Sequence, residues 1–129
     1  IIHEIAHAVE NNFQEFIYGT GAIQREFVAK RKRLSGLLSQ KYNVPVDFNT
    51  NFDYDRSIDK FLYEIVGYDE LNQICVNIFP SGYASTSVRE YWAKGFEEMF
   101  IGDRDRLKTL CPVLYKITGS LLKELSDNT

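Results

Sequence analysis

His3-Glu4-Ile5-Ala6-His7 constrains this chain more than any other feature. It reads H-E-x-x-H, and it holds both histidines of the chain. Residues four apart share one face of an α-helix. If the segment is helical, two imidazoles point the same way and Glu4 stands beside them. That is the ligand pair of a zinc ion with a neighbouring general base. The fold must then pack one side of this helix and bring a further ligand to it from elsewhere. Ile5, Ala6, Ala8 and Val9 are uncharged, which suits a packed helix whose histidine face looks into a cleft. The competing reading is a histidine pair decorating a surface helix.

Apolar residues at 2, 5, 6, 9, 13, 16 and 17 keep helical spacing and predict one helix over 1–17, ended by Gly19 and Gly21. A second helix is predicted over 23–40, with Ile23, Phe27, Leu34, Leu37 and Leu38 as its apolar set. Its run Lys30-Arg31-Lys32-Arg33 reads as a solvated face. A net charge of −3 gives no electrostatic case for nucleic acid. Residues 44–48 read as extended, 49–51 as loop, and 56–66 as a helix closed by Gly67. Residues 69–79 are ambiguous. Asp69 suits a helix cap, while Ile74, Val76 and Ile78 alternate as in a strand, and helix is preferred. Pro80-Ser81-Gly82 is a turn. Ser87-Val88-Arg89-Glu90 has the form of a capping box and opens a helix over 87–100, broken by Gly102-Asp103. One or two turns follow over 104–110, and Pro112 suits the first position of a last helix over 112–125.

The expected fold is mainly α, one domain over 1–129 with no internal boundary. Hydrophobic content of 44%, with nine Phe, eight Tyr and one Trp, allows a substantial core. No apolar run is long enough to span a bilayer. Cys75 and Cys111 are expected as buried free thiols. The chain opens without Met inside a predicted helix, so it is expected to be part of a larger polypeptide or assembly. Peptidases commonly hold substrate on a sheet edge by main-chain hydrogen bonds. That sheet is expected upstream of residue 1, this chain being the largely helical C-terminal portion of an α+β domain.

A catalytic zinc ion takes three protein ligands and keeps one open position. A third histidine does not exist here, which leaves Glu, Asp or Cys. A carboxylate from a second helix completes a His₂Glu set, and 87–100 offers Glu90, Glu97 and Glu98. Tyr91, Trp92, Ala93 and Phe96 are expected in the core, and a carboxylate among such residues needs a partner. Glu90 is therefore the favoured third ligand. The bland alternative is a capping-box glutamate reaching back to its own backbone.

At these residues the chain resembles the anthrax lethal factor-type zinc metallopeptidases, a gluzincin group that includes the secreted Pro-Pro endopeptidases. The resemblance lies in His3 to Glu10, in Gly82-Tyr83-Ala84-Ser85-Thr86-Ser87-Val88-Arg89-Glu90-Tyr91-Trp92-Ala93, in Phe96, and in Leu107-Lys108 with Cys111-Pro112. It covers about 1–17 and 82–119. Tyr83 stands seven residues before Glu90, as a tyrosine does before the ligand glutamate in that family. The resemblance implies a zincin-like domain with Zn²⁺ on His3, His7 and Glu90. It implies Glu4 as general base, Tyr83 as a hydrogen-bond donor to the reacting carbonyl, and a protein or peptide substrate. It also implies secretion or extracellular delivery. The long interval from His7 to Glu90 implies an insertion at about 20–66. Lys94 stands where many His₂Glu peptidases carry the carboxylate that orients a ligand histidine. Either Glu97, Glu98, Glu10 or an upstream residue substitutes for it, or the metal site is weaker than usual. The alternative function is a non-catalytic binding or structural module of a toxin, surface protein or virion that keeps the fold.

Overall fold

The structure is a computed structural model that describes residues 1–127. Among these residues it is mainly helical and contains no β-strand. The order is α1 (Ile2–Asn12), α2 (Gln14–Tyr18), α3 (Ala22–Leu38), α4 (Arg56–Lys60) running into a π-helical stretch (Phe61–Val66), α5 (Tyr68–Ile74), α6 (Val88–Ile101), α7 (Arg104–Leu110) and α8 (Pro112–Asp127). No described helix is long and apolar enough to cross a membrane.

The predicted helix over 1–17 is two helices. Asn12 turns its side-chain amide onto the Ala8 carbonyl at 3.1 Å. Such local bonding competes with the helical ladder. The backbone leaves helical geometry at Phe13 (φ −133°, ψ 32°). A continuous helix would set Tyr18 about 12 Å along the axis from Glu10. With the break, the Tyr18 hydroxyl donates to the Glu10 carboxylate. The apolar face is also narrower than expected. Ala6 is buried, whereas Ile5 and Phe16 are exposed.

Gly21, at φ +75°, reverses the chain into α3. The buried face of α3 is Ile23, Phe27, Lys30, Arg31, Leu34 and Leu38. Half of the basic run is thus interior, contrary to the expectation of a solvated face. Lys30 Nζ donates to the Leu110 carbonyl at 2.7 Å. Arg31 is fully buried and sandwiched by Phe27 and Phe48, with its guanidinium carbon 4.9 and 4.3 Å from the ring centres. It donates to the carbonyls of Ser85 (2.7 Å), Phe48 (2.6 Å), Asn51 (3.3 Å) and Thr86 (3.0 Å). Burial pulls its pKa down to about 10, which leaves it charged at neutral pH. Residues 46–50 form a turn that lays Phe48 on Arg31, in place of the predicted extended segment.

Asp55 caps α4 by accepting from the Ser57 and Ile58 amides. The helix then widens into i→i+5 bonding, seen in Gly67 N–H to the Leu62 carbonyl at 2.9 Å, and ends at Gly67 (φ +83°). Residues 68–77 are helical, as preferred over a strand. Ser87 caps α6 by accepting from the Glu90 amide. Gly95 lets α6 and α8 close up, because a Cβ there would lie 2.6 Å from Leu114 Cγ. The start of α8 is capped from α3, where Glu26 accepts from the Val113 and Leu114 amides and from the Tyr91 hydroxyl. Tyr91, Trp92, Ala93 and Phe96 are buried as expected, while Phe100 is exposed. Cys75 and Cys111 are buried and free. Segment 20–66 is not an appendage: Ile23, Phe27, Leu34, Ile58 and Leu62 belong to the common core.

Candidate metal centre

Helices α1 and α6 pack together, and their contact brings three side chains to one point. His3 and His7 project from the same face of α1, four residues apart. Their rings meet edge-on at 4.7 Å, with Nε2 atoms 3.2 Å apart. Glu90, in the first turn of α6, sends Oε1 to within 2.6 Å of His7 Nε2 and Oε2 to within 3.3 Å of His3 Nε2. Only half of the capping box forms. Ser87 takes the Glu90 amide, but the Glu90 carboxylate is turned onto the histidines instead of its own backbone.

Both ring nitrogens of His7 face carboxylates, Nδ1 that of Glu10 and Nε2 that of Glu90. Glu10 is fully buried and acceptor-only when ionised. It accepts from Arg89 Nε at 3.1 Å, from the Tyr18 hydroxyl, and from His7 Nδ1 at 2.9 Å. Burial, then the bond to Glu10, pushes the Tyr18 phenol above its usual range, so it remains a donor. With an ionised Glu10 as acceptor, His7 donates through Nδ1, and Nε2 is the ring atom turned to Glu90. A lone pair and a carboxylate oxygen do not face each other at 2.6 Å without a positive charge between them, a proton or a metal ion. In a tetrahedral zinc site with Zn–N of about 2.0–2.1 Å, ligand atoms lie ~3.3–3.4 Å apart. The two contacts of His3 Nε2, at 3.2 and 3.3 Å, match that edge. The His7–Glu90 contact must open by about 0.7 Å to match it. The donor set and two of its three spacings fit a zinc ion.

Of the carboxylates considered as substitutes for Lys94, Glu10 is the one that contacts a histidine of the cluster, through His7 Nδ1 at 2.9 Å. Lys94 pairs with Glu97 and Glu98 at 3.1 and 3.4 Å, so these three satisfy one another on α6. Glu4 is exposed in the first turn of α1, beside His3 and one turn before His7. Tyr83, on the short 3₁₀ turn Tyr83–Ser85, faces the site with its ring 6.4 Å from that of His3. Burial and then the Glu90 carboxylate push its phenol up to about 12, so it too remains a proton donor.

Beside the cluster opens a cleft of about 530 Å³ lined by His7, Glu90, Tyr83, Tyr54, Tyr63, Tyr68 and Asp59, among others. Tyr18, Arg89 and this tyrosine wall carry no motif of their own in the sequence. Only an unusual density of Tyr and Asp over 53–69 hints at the wall. No family model matches the chain, and neither a curated protein nor a solved structure matches it.

Proposed function

We propose that this protein is a zinc-dependent endopeptidase of the gluzincin type, akin to the lethal factor group, with His3, His7 and Glu90 as ligands. The observation that carries the reading is the convergence of the H-E-x-x-H helix and Glu90 on one point, with Glu10 fixing the His7 tautomer. Zinc, when bound, supplies Lewis acidity and lowers the pKa of water there to about 7. Glu4 is the general base. It neighbours His7 at helical i,i+3 spacing, accepts the proton of the attacking water and returns it to the leaving amine. Tyr83 donates a hydrogen bond to the oxygen that gains charge as the carbonyl is attacked. Glu10, held by Arg89 and Tyr18, keeps His7 in its ligating tautomer.

Zinc analysis after dialysis tests the centre. One equivalent in the wild type and a large loss in Glu90→Ala are expected. Zinc held equally well by Glu90→Ala refutes the ligand assignment. Peptide-library cleavage tests the chemistry, and Glu4→Gln is expected to keep zinc and lose hydrolysis. One observation favours the second reading, a non-catalytic zinc module: Glu4 is exposed and is not among the residues lining the cleft. Hydrolysis by the wild type that Glu4→Gln abolishes excludes that reading.

A further inference from the structure

We propose that the tyrosine-walled cleft beside the metal cluster is a subsite for a cationic side chain, lysine or arginine, of a peptide laid across that cluster. The proposal rests on the peptidase reading above and names the substrate class it selects. Tyr54 and Tyr63 are 63% and 61% exposed, large aromatic surface left open to water. The rings of Tyr63 and Tyr68 lie 5.4 Å apart, and those of Tyr68 and Tyr83 5.9 Å apart, both edge-on. The wall thus runs continuously from the π-helical stretch to the residue that faces His3 and Glu90. Ring faces carry negative potential and attract cations.

Asp59 places a carboxyl group on the lining of the same cleft. It has no ion-pair partner among the described residues; Lys60, next in sequence, reaches Glu64 instead. Asp59 stands near the wall, since its charge, after burial, helps hold the Tyr68 phenol above its usual range. Arg89 also borders the cleft, but its Nε is engaged by Glu10. An apolar substrate side chain would desolvate Asp59 without giving it a partner, and an acidic one would meet both Asp59 and Glu90. A basic side chain lays its methylenes on the rings and its charge on the carboxylate. Tyr54, Asp59, Tyr63 and Tyr68 all fall within 18–81, the part of the chain outside the family resemblance. The selectivity is therefore written in this chain's own segment.

The test is equilibrium binding of two blocked amino acids, Nα-acetyl-lysine methylamide and Nα-acetyl-norleucine methylamide, followed by tyrosine-ring NMR shifts. The full chain is used with and without zinc. The lysine probe is expected to bind about tenfold more tightly than its neutral analogue. Asp59→Asn is expected to remove most of that preference. Tyr63→Ala, which truncates an exposed ring, is expected to weaken lysine binding ~3-fold or more. Equal binding of the two probes, binding of neither, or a preference that survives Asp59→Asn overturns the subsite. Zinc content and peptide hydrolysis are read on the same samples. Lysine selectivity in a protein that holds no zinc and cleaves nothing overturns the peptidase reading and leaves the subsite standing. Hydrolysis without a basic preference does the reverse.

Discussion

Arg31 is the side chain whose removal should tell most about how the site is held. Its guanidinium ties the turn at Phe48 and Asn51 to Ser85 and Thr86, the residues just before the Ser87 cap of the ligand helix α6. Arg31→Met keeps most of the volume and strands these carbonyls. Those of Phe48, Ser85 and Thr86 are bonded in buried surroundings, whereas the Asn51 contact is longer and only part-buried. Each stranded buried acceptor costs about 1–3 kcal/mol. Against this, the variant no longer desolvates a guanidinium, which in effective terms is worth several kcal/mol. The ring faces of Phe27 and Phe48 also lose a cation, a further ~1–2 kcal/mol in a desolvated setting. The balance is a net loss of about 2–4 kcal/mol, a large part of the ~5–15 kcal/mol that a domain has.

Equilibrium urea unfolding, followed by helical circular dichroism, measures this directly. With a slope of about 1–3 kcal/mol per molar, the midpoint should fall by ~1–2 M. Arg31→Lys should recover little. One ammonium is a compact charge without the planar fork that reaches acceptors on two separate segments. A midpoint for Arg31→Met within about 0.3 M of wild type would falsify the reasoning. It would mean that desolvation of the guanidinium cancels all of its bonds, so that Arg31 is tolerated in the core without holding it together.

Three other outcomes follow from the geometry. Glu10→Gln should lower zinc affinity about 10–100-fold in a competitive chelator titration, while Lys94→Ala should leave it unchanged; equal effects would remove Glu10 from its orienting role. Gly95→Ala sets a Cβ 2.6 Å from Leu114 Cγ, and overpacking of about 1–3 kcal/mol outweighs the ~1 kcal/mol gain in helix propensity. A calorimetric Tm lower by a few degrees is the expected result, and a rise would show that α8 gives way freely. Glu70 accepts from the Tyr42 hydroxyl at 2.5 Å and from Lys41 at 3.1 Å, and these bonds, Tyr42 first, hold its pKa below the ordinary 4.5. A depressed folded pKa lends stability that is present above 4.5 and lost as pH falls through the lowered value. The urea midpoint of Glu70→Gln should therefore depend less on pH than wild type below about pH 5.

The helical character of this chain was legible because its long helices carry strong local signals. Ser87 before Val88 and Pro112 before Val113 mark starts that the structure keeps. The His3–His7–Glu90 grouping was legible for a different reason. The residue inventory removes a third histidine, and the polar Glu90 stands beside a buried aromatic run. What local pattern does not encode is the partner of a charge. Arg31 and Lys32 are adjacent members of one basic run, yet Arg31 is fully buried and Lys32 is exposed. The difference is set by carbonyls that arrive from residues 48–51 and 85–86, far away in sequence. The break at Phe13 escapes apolar periodicity in the same way, since the spacing continues across it and only the Asn12 bond to Ala8 marks the end of α1.

That break connects the fold to the chemistry of the site. A buried carboxylate at Glu10 needs positive or donor partners, and it has three: Arg89 from α6, Tyr18 from α2 and His7 from its own helix. Arg89 offsets the charge of Glu10 and leaves the charge of the neighbouring Glu90 uncompensated by any arginine or lysine within salt-bridge distance among the described residues. Glu90 instead faces two imidazoles, one of them bonded through its other ring nitrogen to Glu10. An isolated carboxylate in such a place is costly unless a cation joins it. In the proposed zinc centre, a divalent ion between the two imidazoles and the carboxylate would supply that charge. On the zinc reading proposed above, Glu10 would belong to the centre and not merely neighbour it: it bonds the second ring nitrogen of His7, and with Arg89 already paired to it, the remaining negative charge falls on Glu90, between the two histidines.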